Sequence, residues 1–90
     1  MSQQTASFVT APKAPRLLCS IAAEIARDWP SPNYAAKPYL SAMRQLDRID
    51  ETYGYDSARS IVLYFLSNAA SWRGPTARRI KAELKEILKS

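Results

Sequence analysis

The sequence predicts an all-α fold, a small bundle of four helices with the third helix central and a flexible N-terminal arm. Three observations carry that expectation. Apolar residues recur at three- and four-residue spacing in four stretches. Proline or glycine punctuates the boundaries between those stretches. The third stretch, residues 60–72, carries no charge, and a helix that is apolar nearly all round is one surrounded by others.

Residues 1–14, MSQQTASFVTAPKA, are small, polar and proline-punctuated, and read as the arm; Phe8 and Val9 are its large apolar side chains. Residues 15–90 read as a single helical domain. Leu18, Ile21, Ala22, Ile25 and Trp29 predict a first helix from Pro15 or Arg16 to about Trp29, since proline lacks an N–H that the first helical position leaves unpaired anyway. Pro30 stops it, and residues 29–33 form a rigid connector. A second helix is expected from near Pro38 to near Tyr53, with Leu40, Met43, Leu46, Ile49 and Tyr53 inward, Arg44–Asp47 and Arg48–Glu51 paired outside, and Gly54 as its left-handed stop. The third starts at an Asp56 or Ser57 cap and runs to about Ser71. Its β-branched Ile61 and Val62 suit a strand, but the run is long and has no partner. Residues 72–75 are the turn into a fourth helix, expected from Pro75 or Thr76 to Leu88, whose inner stripe is Ala77, Ile80, Leu84 and Ile87.

Composition narrows the function. A 10.1 kDa chain buries roughly 64% of its unfolded surface, one modest core without a deep cleft. The absence of His removes Ser-His-Asp and Cys-His arrangements, common zinc sites and the usual proton carrier near neutral pH. Two glycines argue against a phosphate-cradling loop and against a series of tight hairpins. Cys19 lies among Leu17, Leu18 and Ile21, which suits a small buried hydrophobe in a reducing cytoplasm. Asp47, Asp50, Glu51 and Asp56 are interleaved or flanked by Arg44 and Arg48, so a salt-bridged surface is expected rather than a cation site. No signal peptide is recognised, and the uncharged run is too short to span a bilayer. The expectation is a cytoplasmic, non-enzymatic protein with no catalytic residue, cofactor or metal.

The net charge is +5, and residues 73–90 hold six positive and two negative side chains. At about 100° per residue, Arg78, Lys81, Lys85 and Lys89 fall on one flank of the fourth helix, free of acids, while Arg79, Glu83 and Glu86 fall on the other. Lys81, Lys85 and Lys89 repel one another at i,i+4, a cost that a binding role explains; cations in a last turn also suit the helix dipole. With Arg73 in the turn, these are the candidate partner-binding or nucleic-acid-binding residues. The last two helices resemble a helix-turn-helix in outline, which would bring Thr76, Arg78 and Arg79 to bases and Arg73 and Lys81 to phosphates. Any two consecutive bundle helices share that outline. Tyr34, Tyr39 and Tyr55, near helix ends, are the candidates for an exposed protein interface. Leu88, Phe8 and Val9 are spare apolar residues that predict a homodimer.

Residues 56–73, DSARSIVLYFLSNAASWR, with TARRIKAELK at 76–85 and MRQLDRIDETYGYDS at 43–57, resemble a group of short uncharacterised proteins encoded by actinobacteriophages. The likeness covers roughly residues 18–88. It implies a phage product acting in the host cytoplasm and supplies no catalytic residues. The combined expectation is a phage accessory protein that binds a host macromolecule, a host protein first. The alternative is a helix-turn-helix-like DNA-binding protein using the basic last helix.

Overall fold

The computed structural model describes residues 15–89, so the expectations for the arm, Phe8 and Val9 lie outside the described residues. In order the elements are α1 (Leu18–Asp28), α2 (Lys37–Met43), β1 (Thr52–Tyr53), β2 (Asp56–Ser57), α3 (Ala58–Ser67) and α4 (Pro75–Lys89). The described chain is mostly helical, with a two-stranded antiparallel sheet that the all-α expectation did not contain.

Tertiary capping accounts for two departures from the expected boundaries. Helix α1 begins at Leu18, not at Pro15 or Arg16. Its cap residue, Leu17, is extended and offers no capping side chain. The first N–H groups are instead met by a loop: Leu18 N donates to Asp47 O at 2.9 Å and Cys19 N to Leu46 O at 2.8 Å. Supplying those carbonyls takes the chain out of α2 ten residues early. Gln45 N donates to Ala42 O and Leu46 N to Met43 O, tightening the exit, and Leu46 is buried. Of the expected continuation, Ile49 is half-buried and Tyr53 exposed. The expected exterior pairs are replaced too: Arg48 reaches Asp50, and the Glu51 carboxylate accepts from Asp47 N.

Gly54 does adopt a left-handed backbone, φ 64°, but in the Gly54–Tyr55 loop of a hairpin pairing Thr52 with Ser57 and Tyr53 with Asp56. Positive φ at only the first central residue is the glycine-first two-residue turn. The hairpin feeds α3 directly: Ser57 Oγ caps it by accepting from Ser60 N at 3.0 Å, and Ala58 N donates to Glu51 O. Helix α3 stops at Ser67 rather than Ser71. Asn68 Nδ2 folds back to Tyr64 O, and Ala69 and Trp72, still buried, continue as turns. Pro75 opens α4 as expected, after Gly74 at φ 109°.

Neighbouring helices run antiparallel. Helix α1 packs on α2 and α4, and so does α3. Arg16 near the start of α1 meets Glu83 late in α4, while Asp28 at the end of α1 accepts from Trp72 Nε1 just before α4. Arg59 donates to Leu88 O and Lys81 to Ala69 O across the α3–α4 pair. Phe65 is fully buried and edge-on to Trp29 and Trp72, which stack with centroids 5.7 Å apart. Helix α3 is not enclosed, because Leu63 and Tyr64 are each 49% exposed. Like α1 it packs on α2 and α4, so the four helices close a ring and none is central. Leu88, expected to be spare, packs against the core.

Candidate functional site

The expected basic flank of α4 forms only in part. Lys81 turns towards the end of α3, where its ammonium donates to Ala69 O at 2.8 Å and Trp72 O at 2.7 Å and lies 5.8 Å from the Trp72 ring centre. Burial pushes its pKa below the ordinary value, and the nearby positive charges of Lys85 and Arg73 push the same way. Lys81 is therefore a staple closing the α3–α4 connection, with two of its three donors used within the fold. Lys89 pairs with Glu86 at 3.3 Å on the surface, so the ridge is not free of acids. Arg73, Arg78 and Lys85 are exposed, and their side chains make no ion pair or hydrogen bond among the described residues.

The opposite flank of α4 is tied down. Arg16 grips Glu83 through two nitrogens, at 2.8 and 2.6 Å, and reaches Glu24 at 2.9 Å; Arg79 bonds the other oxygen of Glu24. Arg79 and Arg16 hold the Glu24 carboxyl below its usual range, and Glu83 foremost raises the Arg16 pKa above its ordinary value. Arg79 is thus engaged within the fold rather than presented to a partner. Between α3 and α4 lie residues 68–74, longer than the three- or four-residue turn of a helix-turn-helix.

The three expected tyrosines separate into two places. Tyr34 is 91% exposed and Tyr39 half-buried, and both line a shallow cleft of about 460 Å³ with Ala35, Lys37, Pro38 and Asn68. Tyr55 is fully exposed on the hairpin loop, at the other end of α3. Tyr39 instead meets Tyr64, with ring centroids 5.4 Å apart. Tyr64 and Leu63 were missed in the sequence because the charge-free run reads as all core. The signal was present: Ala58, Ile61, Val62 and Phe65 share one face at 100° per residue, and positions 63 and 64 fall off it.

A second cavity of about 310 Å³ lies at the hairpin end, where Leu17, Ile49 and Ile87 are flanked by Arg16, Asp47 and Arg48. Among the described residues no group of His, Cys, Asp and Glu is arranged to hold a metal ion, and no helix is long and apolar enough to cross a membrane. No protein-family pattern, curated protein or solved structure matches the chain.

Proposed function

We propose that the protein is a non-enzymatic phage accessory protein, a small helical bundle with an inserted hairpin, that docks a host protein in the bacterial cytoplasm. The observation that carries this reading is the aromatic face of α2 and α3. Tyr34 stands exposed in the lining of the Tyr34–Asn68 cleft, and the half-exposed Tyr64 packs on Tyr39 of the same lining. Exposed rigid aromatics beside a depression are the composition of a protein-binding hot spot. The phage and host assignments rest on the resemblance of residues 18–88 to actinobacteriophage proteins.

A second reading, DNA binding through α4, is favoured by one observation, the exposed side chains of Arg73, Arg78 and Lys85, which pair with none of the described residues. It competes poorly because Lys81 and Arg79 are bound within the fold and the α3–α4 connection is long. Capture of a host protein from actinobacterial lysate on the tagged chain, with and without nuclease, tests the pair. Nuclease-resistant capture that Tyr34→Ala abolishes is expected. Retention that nuclease abolishes and Tyr34→Ala leaves intact replaces the first reading with the second.

A further inference from the structure

We infer that the cleft end of the molecule recognises an acidic protein segment that inserts one apolar or aromatic side chain between Tyr34 and Tyr39. This rests on the protein-docking reading above and adds the chemistry of the partner. The argument is the distribution of charge. Because neighbouring helices are antiparallel, one end gathers the end of α1, the start of α2, the end of α3 and the start of α4. Among the described residues that end carries Arg27, Lys37, Arg73, Arg78 and Lys81, and the acid placed there is Asp28, already bonded to the Trp72 indole. Asp47, Asp50, Glu51 and Asp56 lie at the hairpin end, and Glu24 and Glu83 are gripped by Arg16 and Arg79 on the α1–α4 side.

Among the described residues no acid lines the cleft, Lys37 is the one charged residue there, and Tyr34, Tyr39, Ala35 and Pro38 supply an apolar floor. Lys81 itself sits on Ala69 O and Trp72 O, and the exposed Arg73 and Lys85 lie close enough to it to add to the effect of its burial on its pKa, so three cations surround that turn. A volume of about 460 Å³ accommodates a large side chain but no folded domain. Charge at the rim steers encounter while the apolar insertion sets residence time. A nucleic acid would meet the same field, but it would leave the alkyl and aromatic lining without a matching group other than stacked bases.

The test pans a random peptide display library against the immobilised full chain. The expected selection is peptides with several Asp or Glu around one Trp, Phe or Leu. Their affinity should fall at least about tenfold when the acids become Asn or Gln, or when ionic strength rises from low to near 0.3 M. Tyr34→Ala and the Lys37→Gln/Arg73→Gln pair should each weaken binding by a similar factor with an unchanged melting temperature. Amide shifts in NMR should move at Lys37, Tyr39 and Asn68. Peptides that shift those amides but are neutral or basic overturn the acidic assignment while leaving protein docking intact. Peptides that map elsewhere, or no enrichment, overturn it as well. Tighter binding of a duplex oligonucleotide, lost in Arg73→Gln and Arg78→Gln, overturns both.

Discussion

Replacing Lys81 by Met separates a structural cation from a ridge of solvated ones. Methionine keeps most of the stem against Trp72 and deletes the ammonium. Two bonds disappear, to Ala69 O at 2.8 Å and Trp72 O at 2.7 Å, together with the cation at 5.8 Å over the indole. Hydrogen bonds to charged groups contribute about 1.5–3 kcal/mol each. Desolvation of the ammonium and the like charges of Lys85 and Arg73, visible in the lowered pKa, offset part of that. The expected net loss is about 2 kcal/mol, which for a domain of this size lowers Tm by about 8–16 °C. Thermal unfolding followed by circular dichroism reads it directly, with Lys85→Met as the control expected to move Tm by no more than about 2 °C. The pH dependence has a defined sign. A depressed lysine pKa means that the unfolded chain binds the proton more tightly, so this group's contribution rises with pH between its folded value and the ordinary 10.5. The Met variant loses that rise. A Lys81→Met protein that melts with the wild type would refute the staple and return Lys81 to the binding surface.

Three further outcomes follow from other parts of the fold. Phe65→Ala opens a cavity beside the stacked tryptophan pair and should cost about 3–5 kcal/mol, measured by urea unfolding; a midpoint equal to wild type would remove Phe65 from the core centre. Gly54→Ala meets no atom within 4 Å but must hold φ 64°, so it should cost about 1–2 kcal/mol from backbone strain alone, and Gly54→Asn less; equal stability of all three proteins would contradict the hairpin turn. Glu24, whose folded pKa is lowered, supports the fold above its ordinary 4.5 and loses that support as pH falls through its folded value; acid titration of Glu24→Gln should show a shallower decline than wild type, and parallel curves would mean the Arg79–Glu24–Arg16 network contributes nothing.

Local pattern was enough for α4, for the Ser57 cap and for the inward set Leu18, Ile21, Ile25, Phe65, Ile80 and Leu84, because periodicity and capping chemistry act between residues near in sequence. The left-handed Gly54 was legible for the same reason, though not the hairpin it serves, since a stop and a two-residue turn ask the same φ of a glycine. Tertiary structure decided where α2 ends. Its stripe through Ile49 and Tyr53 suits a longer helix, but the N–H groups of Leu18 and Cys19, distant in sequence, need the carbonyls of Asp47 and Leu46. It decided the candidate site as well. Helical angles place Lys81 beside Lys85, but only the packing of α4 against the end of α3 offers its ammonium two carbonyls. Only the antiparallel pairing of α2 with α3 brings Tyr39 to Tyr64 and sends Tyr55 to the far end, because a helix of 10 residues separates what a linear pattern counts as equivalent tyrosines.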